Sequence, residues 1–214
     1  IITRKMQTTP SLTYDQKLKL DDLAERLIAS EEPVTILIDG HEAEISEYLI
    51  KKLPHAKVVM DGGSLRASNI KLAAWTDYFV VSEHFARDYM SYRSLSTEAD
   101  IKAALIELNK ICRGEAFITL GEKGCAFLKS GMLQIVPSWL CNAVDTTGAG
   151  DVFHGAFTYG VHYSWHIDNI ILFASLTAAI SIEKKGVRES MPDLAVVHHS
   201  LNSYERNLKQ YFEE

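Results

Sequence analysis

The chain has 214 residues, of which 47% are hydrophobic and 23% charged, a balance that supports one large packed domain, or one with an appendage, and excludes a mostly disordered chain. The formal net charge is −6 and no run of Lys or Arg exceeds two residues, which argues against nucleic acid or an anionic membrane as a partner. The longest mainly apolar run, residues 170–182, is short for a bilayer span and is interrupted by Ser175, Thr177 and Ser181, so a soluble protein with a small-molecule site is expected.

Along the chain, short β-rich runs alternate with longer amphipathic ones, the pattern of βαβ units and a parallel sheet. Leu18, Leu20, Leu23, Leu27 and Ile28 predict a helix over Tyr14 to Ser30, and Pro33 opens a strand at Val34 to Ile38 that ends in Asp39-Gly40. A helix from about Glu42 to Leu53 leads to a second strand, Lys57 to Met60, which also ends in Asp-Gly, at Asp61-Gly62. In open parallel sheets ligands sit beyond the carboxyl ends of strands, so Asp39 and Asp61 either point toward a site or simply turn the chain.

Tyr78 to Val81 predicts a third strand, followed by helices near Glu83 to Tyr89 and Thr97 to Cys112 and a strand at Ala116 to Leu120. Turn signals at Gly121 to Gly124 and Lys129 to Gly131 then separate two short apolar segments, Cys125 to Leu128 and Met132 to Val136, predicting antiparallel hairpins at one edge of the sheet. Helices rich in small residues follow at Ala149 to Tyr163 and Asp168 to Glu183, implying close packing. A polar amphipathic helix is expected at about Asn202 to Phe212. No linker or repeat divides the chain, so residues 1–214 are expected to form a single domain.

Cys112, Cys125 and Cys141 are odd in number and lack C-x-x-C spacing, which suggests neither a disulfide scaffold nor a zinc site and fits a reducing cytoplasm. No secretory signal is expected, because polar residues follow Arg4-Lys5. His154 and His162 lie eight apart on one helix, too far for joint metal ligation, and His198-His199 is expected at the surface.

The most informative stretch is Val144-Asp145-Thr146-Thr147-Gly148-Ala149-Gly150-Asp151, which opens a helix. Gly148 and Gly150 let an anion approach the backbone, and the free N–H groups of the first helical turn point at it with the macrodipole behind them. Asp151 beside that anion hole would repel the ligand unless it accepts a proton from an attacking hydroxyl, which is the work phosphoryl transfer asks of one carboxylate. The plainer reading is that Asp151 only favours the helix start electrostatically.

This stretch resembles the Asp-Thr-x-Gly-Ala-Gly-Asp signature of the ribokinase-like, or PfkB-type, carbohydrate kinases. Thr119-Leu120-Gly121-Glu122-Lys123-Gly124 is similar to that family's nucleotide-contacting segment. Residues 178–192, through Lys185-Gly186 and Ser190-Met191-Pro192, resemble its C-terminal nucleotide and monovalent-cation region. The resemblance implies a three-layer α/β sandwich with a mainly parallel sheet, binding ATP and Mg²⁺. It makes Asp151 the general base, with the N–H groups of Gly148, Ala149 and Gly150 holding the transferring phosphoryl group. Thr119, Gly121, Gly124, Thr147 and Ser82 would serve the nucleotide. Asp145, Thr147, Ser181, Gly186 and Ser190 would surround a potassium-like ion.

Departures from the family pattern are also present. The family's Asn-x-x-Glu reads Ser82-Glu83-His84-Phe85 here, which puts the organisation of magnesium in question. Its Asp-x-Asn-x-Arg reads Asp61 to Arg66, one residue longer. Family members carry roughly a hundred more N-terminal residues, with the first strands, a small β lid and much of the sugar site; Ile1 to Thr13 is similar to the tail of that lid. The expectation is therefore a sugar kinase sequence without its N-terminal portion, able to form a homodimer if the lid is present. The alternatives are a nucleotide-binding homologue without catalysis and a dinucleotide-dependent oxidoreductase; against the latter, no G-x-G-x-x-G follows the first strand.

Overall fold

A computed structural model describes residues 11–201; the expected helix at Asn202 to Phe212 and most of the lid-like segment lie outside them. The first element, α1 (Tyr14–Ala29), begins at a capping box in which Thr13 Oγ1 accepts from the Gln16 N–H at 3.3 Å and Gln16 Oε1 accepts from the Thr13 N–H at 2.9 Å. Then follow β1 (Thr35–Ile38), α2 (Ala43–Lys52), β2 (Lys57–Asp61), α3 (Ala67–Ala73), β3 (Tyr78–Ser82), α4 (Glu83–Met90), α5 (Glu98–Asn109), β4 (Glu115–Thr119), β5 (Cys125–Lys129), β6 (Met132–Val136), α6 (Ala149–His162) and α7 (Ile167–Ser181). Residues 194–201 are again helical.

The six strands form one sheet in the order β1-β2-β3-β4-β5-β6. The first four run parallel, while β5 and β6 are antiparallel to their neighbours, as the turn signals at Gly121–Gly124 and Lys129–Gly131 predict. Because strand side chains alternate, each strand feeds two cores. Val58, Met60, Phe79, Val81, Ala116 and Ile118 pack with Leu72 of α3, Phe85 of α4 and Leu105 and Leu108 of α5. Val59, Val80, Phe117, Cys125 and Phe127 pack with Phe153 and Phe157 of α6 and Ile170 and Ala174 of α7. The result is the expected three-layer α/β arrangement with helices on both faces.

Two contacts fix α6, the helix that opens at Gly148. Phe157 meets Phe117 edge-on at 5.3 Å and Tyr78 at 5.8 Å between centroids, pinning the helix to the sheet. Gly160 faces Ile170 so closely that a Cβ there would crowd it, which explains the small residues of the α6–α7 contact.

Helix α3 is absent from the sequence expectation, since Gly62-Gly63 and Ser68-Asn69 read as turn and helix-poor residues. Tertiary contacts override that preference: Asn69 is fully buried and its Nδ2 donates to the Gly62 carbonyl at 2.8 Å. This bond also shapes the loop that leaves β2 toward the site.

Candidate active site

The parallel strands end side by side. Ile38 pairs with Met60, Asp61 with Val80, and Ser82 with Thr119, so Asp39, Asp61, Ser82 and Thr119 stand along the carboxyl edge of the sheet, where an α/β fold offers its crevice. Helix α6 presents its N-terminus to that edge. Gly148 is its N-cap, with φ +76°, and a Cβ there would overlap the Val187 side chain; glycine is required on both counts.

One cavity of about 560 Å³ lies on the β4–β5 side of this helix start. Thr119, Gly121 and Gly124 line it together with Ala149 and Gly150, and Trp139, Phe153, Ala178 and Ile182 supply apolar walls. The Gly121–Lys123 turn after β4 is a single 3-10 turn that ends at Gly124, φ +102°, where a Cβ would overlap the Val136 carbonyl oxygen. The sequence signals find the polar floor of this cavity and, within residues 178–192, the wall formed by Ala178 and Ile182, and miss the walls formed by Trp139, after β6, and by Phe153 of α6.

A second cavity of about 420 Å³ lies on the β1–β2 side, lined by Leu37, Ile38, Asp39, Glu42, Ser46, Asp61, Asp151 and His154. Both strand-terminal Asp-Gly carboxylates open onto it. Each also turns its own loop: Asp39 Oδ1 accepts from the His41 N–H, and Asp61 Oδ1 from the Gly63 N–H. Each carboxylate thus lines the cavity and also closes its own turn. Nothing in the sequence spacing of Glu42, Ser46 and His154 marks them as lining residues.

In the first turn of α6, the Ala149 N–H closes onto the Thr146 carbonyl at 3.3 Å. The N–H groups of Gly148, Gly150 and Asp151 have no acceptor among the described residues, which leaves donors and the positive end of the helix facing the crevice. Asp151 is exposed.

Asp145 takes the Thr147 N–H on Oδ1 at 3.1 Å and the Gly186 N–H on Oδ2 at 3.3 Å. The Thr147 hydroxyl and these two N–H groups hold its carboxyl below the ordinary carboxylate range. Ser190 is buried and donates to the Val187 carbonyl at 3.4 Å, while Ser181 donates to the Ala178 carbonyl at 2.8 Å. Asp145, Thr147 and Gly186 therefore meet at one loop junction; the hydroxyls of Ser181 and Ser190 are turned onto local carbonyls.

Ser82 accepts from the Phe85 N–H at 3.0 Å as the N-cap of α4 and donates to the Gly63 carbonyl at 2.7 Å, and it lines neither cavity. Phe85 is fully buried against Phe79. Among the described residues no group of three or more His, Cys, Asp or Glu is arranged to hold a metal ion. Arg66 is the N-cap residue of α3 and also lines neither cavity.

The pfkB family carbohydrate kinase profile matches residues 57–194, the span that holds β2 through α7 and the whole lining of the larger cavity. The chain belongs to this family. It is 29% identical over 189 residues to the ribokinase of Lactococcus lactis, an alignment covering 88% of this chain and 60% of that one. It is 31% identical over 131 residues to the deoxyribokinase of Salmonella typhi, covering 61% and 42%. Among solved structures, Giardia lamblia ribokinase aligns with a TM-score of 0.75 at 21% identity, over 90% of this chain and 64% of that one. Arabidopsis thaliana ribokinase, complexed with ribose and ATP, aligns with a TM-score of 0.71 at 21% identity, over 89% and 60%. The chain thus spans less than two thirds of each of these relatives. No described helix is long and apolar enough to cross a membrane.

Proposed function

We propose that this chain is the nucleotide-binding and base-bearing part of an ATP-dependent sugar kinase, working as one unit over its length. The observation that carries the reading is the first turn of α6: Ala149 and Gly150 line one cavity while Asp151, the next residue, lines the other. A single helical turn therefore stands between a nucleotide-sized chamber and a polar one, with free N–H donors and a carboxylate at the boundary.

In this reading ATP lies in the larger cavity, its base against Trp139, Ala178 and Ile182 and its phosphates over Gly121, Gly148 and Gly150. The acceptor alcohol occupies the smaller one. Asp151 takes the hydroxyl proton as the acceptor oxygen bonds to the γ-phosphorus and the bond to the β-phosphate oxygen breaks, releasing ADP. The Gly148 and Gly150 N–H groups and the helix dipole stabilise the charge on the equatorial oxygens. Mg²⁺ neutralises the phosphates in such reactions. Because Phe85 is in the core and Ser82 is spent on a cap, the ion would arrive with the nucleotide and keep much of its water shell. A K⁺ ion would sit by Asp145 and Gly186. The acceptor is an unphosphorylated sugar, since Asp39, Glu42, Asp61 and Asp151 line its chamber without a Lys or Arg. The names of the relatives make pentoses the first ones to try.

The test is ADP release with ATP, Mg²⁺ and K⁺ against a panel of sugars, with Asp151→Asn alongside. Acceptor-dependent release that falls about 10²–10⁴-fold in the variant, with ATP affinity retained, supports the proposal. The position of Phe85 favours a second reading, a non-catalytic nucleotide-binding homologue. Tight ATP binding without release of ADP, unchanged by Asp151→Asn, would select that reading instead.

A further inference from the structure

His154 lies one turn after Gly150 on α6 and is 4% exposed, though it lines the acidic chamber. Its Nδ1 is 2.6 Å from the Gly150 carbonyl oxygen and 3.3 Å from Asp61 Oδ2, and its Nε2 is 3.2 Å from the Val80 carbonyl oxygen. Two ring nitrogens therefore face three acceptors, from α6, β2 and β3. The sequence assigns this histidine no role beyond packing, yet a buried ring that reaches three elements is an expensive way to fill space. Apolar contacts would serve packing better, as Phe153 and Phe157 do on the same helix.

We infer that His154 is a positioning residue that ties the first turn of α6 to the end of β2 and the middle of β3, and so sets where Asp151 and the Gly150 N–H stand relative to Asp61 and the acceptor chamber. The tie acts on the residue immediately before the base, because the Gly150 carbonyl belongs to the peptide unit that carries the Asp151 N–H. An N–H at Nδ1 reaches both Gly150 and Asp61, and an N–H at Nε2 reaches Val80, so either ring donor tethers the helix to its surroundings. The carboxylate of Asp61 completes the arrangement. It is itself held by the Gly63 N–H on its other oxygen, so the ring is fastened to a fixed point. The groups that face His154 across the chamber are Asp39, Glu42, Asp61 and Asp151.

This inference rests on the proposed kinase reading for its effect on rate, but the tie itself is open to measurement without turnover. In NMR spectra of the 214-residue chain, a His154 ring N–H should exchange slowly with water and should shift in Asp61→Asn, together with the Gly150 and Asp151 amides. A ring signal and amides that ignore Asp61→Asn overturn the tie. For rate, misplacing a base by an ångström costs up to about 10²-fold. Hence His154→Phe, which keeps a ring but no donor, should lower kcat about 10–100-fold with KM for ATP within about twofold, and His154→Asn, which restores an N–H donor, should recover part of that loss. Equal melting curves for His154→Asn and the unsubstituted chain guard against a folding defect. A kcat for folded His154→Phe within twofold of the unsubstituted chain overturns the positioning role. Absence of acceptor-dependent ADP release from the unsubstituted chain would count against the kinase reading instead, leaving the spectra to decide the tie.

Discussion

The Asp145 carboxylate accepts the Gly186 N–H at 3.3 Å across 41 residues of chain, joining the loop that enters α6 to the loop that leaves α7. The same carboxylate accepts the Thr147 N–H two residues on, so one side chain sets the approach to the glycine-rich turn that opens α6. The Thr147 hydroxyl first, and then these two backbone N–H groups, favour the ionised form of the carboxylate they bond. The carboxyl of Asp145 accordingly titrates below its ordinary value of 3.8 in the folded protein.

The pH dependence follows from that direction. A group whose folded value is depressed contributes stability that is fully present above its unfolded value and is lost as pH falls through the folded one. The difference in urea midpoint between the unsubstituted chain and Asp145→Asn should therefore be constant from neutral pH down to about pH 5. It should shrink as the pH drops below 3.8. A difference that instead grows on acidification would contradict the assigned bonds.

Much of this arrangement is legible in the amino-acid order. Alternation within β2, β3 and β4 fixes which residues face each core, and the Asp-Gly pairs at 39–40 and 61–62 mark strand ends that open on the crevice. The run from Asp145 to Asp151 marks the turn that opens α6 because glycine spacing and a following helix are local features. What escapes is whatever depends on distant partners. Helix α3 forms because Asn69 finds the Gly62 carbonyl in the interior, not because its residues favour helix. The importance of His154 comes from Val80 and Asp61, which are 74 and 93 residues away in the chain, and no spacing rule joins the three.

Phe85 illustrates the same limit and leads to a prediction. The resemblance implies a glutamate at its position, but its ring is fully buried and meets Phe79 edge-on at 5.5 Å. Phe85→Glu should then place an unpaired carboxylate in the core and abolish folding, and Phe85→Ala should cost about 3–5 kcal/mol by loss of packing. Circular dichroism through a urea titration distinguishes these from the contrary outcome, in which Phe85→Glu folds normally and gains affinity for Mg²⁺.

The three cysteines should differ sharply toward iodoacetamide at pH 8. Burial raises the thiol of Cys125 far above its ordinary range and that of Cys112 to about 11. Cys141 is raised as well, by burial first and by the nearby Glu183, but it lies at the wall of the larger cavity. Because the thiolate is the reactive form and access is needed, Cys141 should be alkylated first. ATP at ten times its dissociation constant should slow that labelling about tenfold, by occupying the site. Peptide mass spectrometry reads both effects, and labelling of Cys141 that is indifferent to ATP would place the nucleotide elsewhere.

The charge of the smaller cavity makes a final prediction about acceptors. Four carboxylates line it, and its one basic side chain, His154, is turned toward Asp61 and two carbonyls. A sugar hydroxyl donates to such a wall readily, whereas a phosphate dianion meets like charge, which costs several kcal/mol across a desolvated contact. Ribose should therefore be phosphorylated with a kcat/KM at least about 10²-fold above that for ribose 5-phosphate, and Asp39→Asn with Glu42→Gln should narrow the gap by weakening the repulsion. Comparable rates for the two sugars, measured by ADP release at equal concentration, would show that the acceptor does not enter by the carboxylate-lined chamber.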